Sequence, residues 1–253
     1  MKKSFALLFA LLITGFIAGN FYIFSNVVKT DSSEIKREKV TVARVIDGDT
    51  LELEDGRKVR LVNINSPEKG TFGSDLSFNF LKSFENQTVE IEAIGTDKYR
   101  RTLGRIYNQS LYLNLDIVKQ GLASKFLVQE SELGLFSAAE EEAVKNSLGI
   151  WKKSQYSDCF ESKIDKNKEI VELINSNCNS INVNGWFLKD ESRKTYKFGS
   201  ISLGMVIVHS SEGPDNSTDL FWNSKTNVWN SDRDTLYLFD SGGNIVHHKS
   251  YGY

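Results

Sequence analysis

The sequence contains little of several residue types that commonly mark a function. Its 253 residues include two cysteines, two prolines and three histidines. The scarcity of proline, together with glycines that follow no period, excludes a collagenous or low-complexity chain. The formal net charge is −2, so no global positive field points to a nucleic-acid partner. The length and the apolar content predict two ordinary domains preceded by a leader.

The few histidines and cysteines restrict the possible catalytic and metal chemistry. His209, His247 and His248 all lie in the second half of the chain. Adjacent histidines on a strand point to opposite faces, so they make a poor joint metal site, and no Ser-His-Asp arrangement is supported. Cys159 and Cys178 are too few for a zinc site. Outside the cytoplasm they can form one disulfide, and two unpaired buried thiols are the alternative.

The amino terminus has the pattern of an export signal. Lys2 and Lys3 precede a largely apolar run over residues 5–23, and such a run is long enough to span a bilayer. A cut near residue 18 or 19 would leave Phe16 or Ile17 where signal peptidases need a small side chain, which favours a retained anchor over a cleaved peptide. We therefore expect a signal peptide or membrane anchor over 1–25 and a linker over 26–38. The rest should be secreted or tethered to the outer face of the cytoplasmic membrane.

From residue 39 onwards, short β-rich runs alternate with a few helical segments. Strands are predicted at residues 40–46, 50–53, 58–64, 88–94 and 102–107, and helices at 72–84, 114–120 and 137–147. Asp55-Gly56 is a strong hairpin signal. A meander of strands with interleaved helices fits an α+β barrel of the OB type over 39–153 and does not fit alternating βαβ units.

The composition changes after Lys153. Helical spacing disappears, and strand-like runs at 170–174, 185–188, 205–208 and 235–239 are separated by turns rich in Asn, Ser and Gly. This spacing predicts an all-β sandwich over 159–253. We expect the domain boundary at 153–158.

Three polar clusters stand out on the predicted barrel. The first is the turn around Asp47 and Asp49, the second runs from Arg60 to Glu68, and the third ends at Arg101. Each alone reads as ordinary turn or surface chemistry. Together, and in this order, they supply carboxylates and guanidiniums suited to binding a phosphate.

The run over 39–151 resembles the staphylococcal nuclease family, also called thermonucleases. The motifs that carry the resemblance are Val45-Ile46-Asp47-Gly48-Asp49-Thr50, Arg60-Leu61, Pro67-Glu68, Asp97, Tyr99 and Arg101, with Asn114, Gly121-Leu122-Ala123, Ala139-Glu140 and Gly149-Ile150-Trp151 further on. The resemblance implies a five-stranded OB-fold barrel, a calcium ion and hydrolysis of DNA and RNA to products with a 3′-phosphate.

The resemblance also implies roles for individual residues. Asp49 would bind Ca²⁺, with Asn65 and the backbone carbonyl of Ser66 as further oxygen ligands. Arg60 and Arg101 would bind phosphate, and Glu68 would be the catalytic carboxylate. Asn65 and Ser66 depart from the family, which usually has aspartate and threonine there. Because an amide oxygen carries no charge, a lower calcium affinity is expected. Residues 39–153 hold 16 basic and 17 acidic side chains, so substrate binding should depend on a local patch at residues 98–105.

The segment over 164–253 resembles the lamin tail domain, an immunoglobulin-like sandwich. Gly185-Trp186, Val228-Trp229-Asn230 and Asp234 carry this resemblance. Such a domain is generally an interaction or anchoring module, and the sequence leaves its partner open. The alternative to an active nuclease is an inactive OB module that binds nucleic acid or protein and has an adhesive tail. Loss of the catalytic residues would mark that case, and all of them are present.

Overall fold

A computed structural model describes residues 36–253 of the chain. The predicted signal or anchor at 1–25, and most of the predicted linker at 26–38, lie outside the described residues. Within 36–253, no helix combines the length and the apolar character needed to cross a bilayer.

The first half folds into a closed five-stranded barrel because apolar residues recur on one face of each strand. The strands of this half are β1 (Glu38–Asp47), β2 (Thr50–Leu53), β3 (Lys58–Leu61), β4 (Ile64–Asn65), β5 (Thr88–Thr96), β6 (Thr102–Asn108), β7 (Leu111–Tyr112) and β8 (Ser124–Lys125), of which β1, β2, β3, β5 and β6 form the closed ring. The main sheet has the order β3-β2-β1-β5-β6-β7, and a parallel β3–β6 pairing closes it. Val42, Leu51, Val59 and Ile106 are fully buried inside. The predicted OB-fold barrel is confirmed.

Three helices pack around the barrel: α1 (Ser74–Lys82), α2 (Leu113–Lys119) and α3 (Leu133–Lys145). The prediction for α3 began four residues too late, because Gly134 is a weak helix former. The buried ring of Phe136 instead holds the first turn against the core. The predicted strand at 58–64 is interrupted at Asn63, whose φ of 68° places it in the left-handed region that asparagine tolerates.

The second half is the predicted immunoglobulin-like sandwich. Its strands are β9 (Phe160–Asp165), β10 (Ile170–Asn175), β11 (Ile181–Asn182), β12 (Phe187–Lys189), β13 (Thr195–Lys197), β14 (Ser202–Leu203), β15 (Met205–His209), β16 (Asp219–Phe221), β17 (Asp234–Phe239) and β18 (Ile245–Tyr251). Two four-stranded sheets, ordered β16-β15-β10-β9 and β13-β12-β17-β18, enclose a core that contains Trp186 and Trp229. A disulfide joins Cys159 to Cys178.

Strands β9, β13, β16 and β18 were not predicted. All four lie at the edges of the two four-stranded sheets, where charged and polar residues weaken the alternation of apolar side chains that identifies a strand. The central strands β10, β12, β15 and β17 were predicted because they contain the short apolar runs that fill the sandwich core.

An apolar cluster joins the barrel to the sandwich. Ala143, Val144, Ile150 and Trp151 of the first half pack with three residues of the second half, namely Tyr237, Phe239 and Ile245. The ring of Trp151 stacks on that of Tyr237 with centroids 5.3 Å apart. The chain from Glu38 to Tyr253 therefore forms one compact unit.

A buried ion pair lies at the same junction. Lys125 on β8 pairs with Glu140 on α3, and each side chain is only 2% exposed. The Lys125 ammonium also donates to the hydroxyls of Thr235 and Ser250, 3.1 Å away in each case. Tyr237 donates its hydroxyl to Glu140 at 3.0 Å. Thr235, Tyr237 and Ser250 reach this ion pair only when the barrel and the sandwich are correctly docked.

Substitution of Lys125 tests this junction. Lys125→Met leaves the Glu140 carboxylate buried without its cation, so the free energy of unfolding should fall by about 3–5 kcal/mol. Denaturant unfolding of the full chain measures the change. Lys119→Met, at an exposed position of α2, is the matched control and should cost less than about 0.5 kcal/mol. An equal loss in both variants would show that the pair contributes nothing specific.

His247 should make the sandwich sensitive to mild acid. Burial, with repulsion from His248 and Lys249, lowers its pKa from 6.5 to about 4, and its Nε2 atom lies 2.9 Å from the Ser162 hydroxyl. In the unfolded chain His247 is protonated below about pH 6.5, whereas in the folded chain it is protonated only below about pH 4. Stability should fall by about 3 kcal/mol as the pH drops through this window. His247→Gln should flatten the profile in thermal melts, and an unaltered slope would assign the effect to other groups.

Candidate active site

Asp49 lies in the turn that joins β1 to β2, at the mouth of the barrel. The turn packs so closely against two neighbouring segments that position 48 must be glycine. A Cβ atom there would lie 2.1 Å from the Ser77 hydroxyl and 2.7 Å from the Ser66 Cβ. This close approach buries the Asp49 side chain, leaving it 5% exposed.

The Asp49 carboxylate is held by a full set of donors. Its Oδ2 accepts hydrogen bonds from the backbone N–H and the hydroxyl of Ser66, both at 3.1 Å, and its Oδ1 accepts one from the Thr50 hydroxyl at 3.0 Å. The Arg60 Nε lies 3.1 Å from Oδ1. Burial opposes ionisation, but the Arg60 charge and the Ser66 N–H outweigh it, so the pKa of Asp49 lies below its usual value. Asp49 is therefore ionised at neutral pH.

Arg60 on β3 is a nearly buried guanidinium that binds mostly to the protein itself. Besides Asp49, it donates to the carbonyl of Leu61, to the carbonyl of Ile64 at 2.8 Å and to the Oδ1 of Asn65 at 2.6 Å. A guanidinium has five N–H donors; three of them make these hydrogen bonds, and the Nε–H lies against Asp49 in the ion pair. One N–H of Arg60 remains for a ligand, which makes this residue as much an organiser of the site as a binder.

Asn65 on β4 bridges Arg60 and the second domain. Its Oδ1 accepts from Arg60, and its Nδ2 donates to the backbone carbonyl of Glu191 at 2.9 Å. The role of Asn65 as a metal ligand stays a prediction, and in this arrangement its amide oxygen faces Arg60. Its NH₂ group makes a bond that the aspartate usual at this position could not donate.

Arg101 reaches the site from the start of β6. Asp97 shapes the preceding turn by accepting from the backbone N–H groups of Tyr99 and Arg101, and it also accepts from the Arg101 Nε at 2.8 Å. The Arg101 side chain is 28% exposed, so it keeps more donors free than Arg60 does. The Tyr99 ring is 68% exposed and lies 5.5 Å from the Arg101 guanidinium carbon, which gives this edge of the site an aromatic surface.

A cavity of about 410 Å³ brings the predicted residues together. Its lining includes Asp49, Arg60, Ser66, Glu68 and Arg101, and also four residues not predicted as part of the site: Asp47, Lys69, Tyr99 and Arg193. The predicted catalytic carboxylate, Glu68, is exposed at the rim. The structure thus gathers all three predicted catalytic residues, and two of the three predicted metal ligands, around one space.

Asp47 adds a second carboxylate to the base of this cavity. Burial and the neighbouring charge of Asp49 raise its pKa above the usual value. Within residues 36–253, no three side chains of the His, Cys, Asp and Glu type converge as a metal cluster. The Asp49 carboxylate and the Ser66 carbonyl are the oxygen donors that could hold a hard cation, and the Glu68 carboxylate lines the same cavity. These are the oxygen types that calcium prefers.

Two arginines of the basic patch predicted at residues 98–105 have different roles. Arg101 lines the cavity, whereas Arg105 forms ion pairs with Glu92 and Glu132 and is only 13% exposed. Burial opposes the charged form of Arg105, but the Glu132 hydrogen bond prevails and its pKa is raised. Arg105 is therefore a structural cation between β6, β5 and the segment before α3.

Of the four lining residues that were not predicted, Arg193 is the one that comes from the second half of the chain. It lies in the turn between β12 and β13 of the sandwich, yet its guanidinium reaches the site of the barrel. Its Nη1 donates to the Ser66 carbonyl at 3.0 Å and lies 3.8 Å from the Asp49 Oδ2, and its Nη2 lies 3.1 Å from the Glu68 Oε1. Asp190, Ser192 and Lys194 around it have the composition of a solvated turn, so no local signal marks it.

Comparison with known proteins agrees with this geometry. The family model described as "Staphylococcal nuclease homologue" matches residues 58–153, and the model "Lamin Tail Domain" matches residues 153–253. A relative named "Uncharacterized endonuclease" from Haemophilus influenzae is 36% identical over 126 residues, which cover 47% of this chain and 70% of the relative. "Thermonuclease" from Staphylococcus intermedius is 33% identical over 139 residues, covering 49% and 83% respectively.

A third relative, "Uncharacterized endonuclease" from Escherichia coli O157:H7, is 33% identical over 115 residues, which cover 44% of this chain and 74% of the relative. These matches cover the barrel that carries Asp49, Arg60, Glu68 and Arg101. Together with the closed barrel and the matching family models, they identify the chain as a phosphodiester hydrolase that belongs to the staphylococcal nuclease homologue family and carries a lamin tail domain after its nuclease barrel.

Proposed function

We propose that this chain is an exported, calcium-dependent endonuclease that hydrolyses phosphodiester bonds of DNA, RNA or both and leaves products with a 3′-phosphate. The observation that carries the proposal is the convergence of Arg60, Glu68 and Arg101 around one open cavity with the buried anion Asp49 at its base. The proposal that the protein is exported rests only on the sequence of residues 1–25. The tail domain has no assigned partner, and a membrane contact would come only through an uncleaved amino-terminal segment.

The side chains suit in-line attack of water on a phosphodiester. Negative charge builds on the equatorial phosphate oxygens during attack, and guanidiniums stabilise it because they stay charged and offer paired donors. Arg101 and the remaining N–H of Arg60 are the donors at this cavity. Glu68, with its carboxylate exposed at the rim, would accept the proton of the attacking water or orient that water. Departure of the 5′ oxygen would leave the phosphate on the 3′ side.

Calcium is the ion that the family resemblance implies, and the donor set fits it by its chemistry. The Asp49 carboxylate and the Ser66 carbonyl would hold the ion, with the carboxylates of Asp47 and Glu68 at the same cavity. The Arg193 guanidinium lies within 4 Å of three of these oxygens, and this contact supports the proposal that they attract a positive charge. When bound, the ion would neutralise charge on the phosphate and lower the cost of the attack.

Substitution of the three proposed catalytic residues tests the function. Glu68→Gln and Arg101→Ala should each lower the rate of DNA or RNA digestion by about 10²- to 10⁴-fold, because these groups act on the transition state. Arg60→Ala should lose activity and also stability, because it leaves Asp49 buried without its cation. The full chain is assayed with calcium and with a chelator, and mass spectrometry of the products locates the phosphate.

Arg44→Ala is the matched control, since Arg44 lies on β1 and forms its ion pair with Glu52 at the surface, outside the cavity lining. It should keep its activity. Near-normal digestion by a folded Glu68→Gln variant would place the catalytic carboxylate elsewhere, and digestion by the parent that ignores the chelator would contradict the calcium requirement.

A further inference from the structure

The guanidinium of Arg193 occupies the position where the oxygens of the nuclease site converge. It is 3.0 Å from the Ser66 carbonyl, 3.1 Å from the Glu68 Oε1 and 3.8 Å from the Asp49 Oδ2. Two of these groups, Asp49 and the Ser66 carbonyl, are the donors assigned above to a metal ion. A cation of the tail domain therefore makes the contacts that a calcium ion would need.

The turn that carries Arg193 is held by hydrogen bonds within the turn and by a hydrogen bond from the barrel. Within the turn, Asp190 accepts from the Lys194 backbone N–H at 2.7 Å and from the Ser192 hydroxyl at 2.5 Å. Arg193 itself has a φ of 76°, a left-handed conformation that is costly for a residue with a side chain and persists only where the surroundings impose it. The anchors hold the turn in the shape that aims the guanidinium into the cavity.

The barrel also holds this turn directly. Asn65 donates its amide N–H to the Glu191 carbonyl at 2.9 Å, and both residues are almost fully buried. A carboxylate at position 65 would have no proton to donate to that carbonyl. The neutral amide of Asn65 therefore helps to hold the turn that brings Arg193 into the cavity. Compared with a site that has an aspartate at position 65 and no Arg193, this site has one negative charge fewer and one positive charge more.

The charge balance of the cavity reflects this exchange. Its lining contains three carboxylates, Asp47, Asp49 and Glu68, and four cations, Arg60, Lys69, Arg101 and Arg193. Such a cavity attracts a phosphodiester but opposes the entry of a divalent cation. Removal of Arg193 alone would equalise the two signs.

We propose that Arg193 and a divalent cation are alternative occupants of one cation position, so that the tail domain determines the calcium affinity of the nuclease. This inference deepens the proposed function and rests on its assignment of the metal to Asp49 and Ser66. Calcium binds only when the guanidinium withdraws from the Ser66 carbonyl and from Asp49. The tail domain is accordingly a working part of the nuclease site as well as an interaction module.

Calcium binding to the full chain, measured by isothermal titration calorimetry without substrate, tests the proposal. Arg193→Ala should tighten calcium binding roughly tenfold, because one unit charge is removed within a few ångströms of the ion. Lys194→Ala is the matched control: it removes the same charge from the next residue, whose ammonium bonds to the Asn227 carbonyl and away from the cavity. Its affinity should stay within about twofold of the parent.

Arg193→Met serves as a second variant that keeps the apolar stem, and thermal melts of the calcium-free proteins verify that each one folds. Tighter binding in both Arg193 variants, with a proportionally lower calcium concentration for half-maximal digestion, supports the proposal. Unchanged or weaker binding in a folded Arg193 variant overturns it. If the variants bind calcium as expected but no form digests nucleic acid, the proposed function fails while the shared cation position stands.

Discussion

The buried guanidinium of Arg60 is the group on which the arrangement of the site depends. A charge this far from water is tolerated only if nearly all of its donors find partners. Asp49 supplies the counter-charge, and the carbonyls of Leu61 and Ile64 and the amide oxygen of Asn65 supply the remaining acceptors. These contacts fix the turn after β1 relative to the irregular segment after β3, which explains how the site can be precise although Asp49, Glu68 and Arg101 lie outside the strands.

The same network extends into the tail domain. Asn65 uses its oxygen for Arg60 and its N–H for the Glu191 carbonyl, so the bonding of the buried arginine is linked to the turn that presents Arg193. Burial raises the pKa of the Glu191 carboxyl to about 7, although a hydrogen bond from Tyr253 opposes the shift. The barrel and the sandwich also dock through Lys125, Glu140 and the cluster around Trp151. Their docking therefore affects the geometry of the candidate active site, and the two halves are not independent modules.

Much of the barrel was predictable because its signals are local. The Asp55-Gly56 hairpin and the apolar alternation of β1, β2, β5 and β6 each lie within a few residues. The edge strands of the sandwich were missed because their exposed faces blur that alternation, and the kink at Asn63 was missed because a left-handed asparagine leaves no mark on periodicity. Motif order placed Asp49, Arg60, Glu68 and Arg101 in one site. Arg193 could not be found in this way, since its role comes from the docking of two halves of the chain and its own turn looks like ordinary surface.

In the proposed arrangement, the tail domain supplies a cation to the nuclease site at the place where a metal ion would bind. A crystal structure of the full chain with calcium and a nucleotide bearing a 3′-phosphate tests it most directly. We expect an ion in contact with the Asp49 carboxylate and the Ser66 carbonyl, with the Arg193 guanidinium displaced from both and the phosphate bound to Arg101. An ion bound at these oxygens while Arg193 keeps its present contacts, or an ion bound away from Asp49, would contradict it.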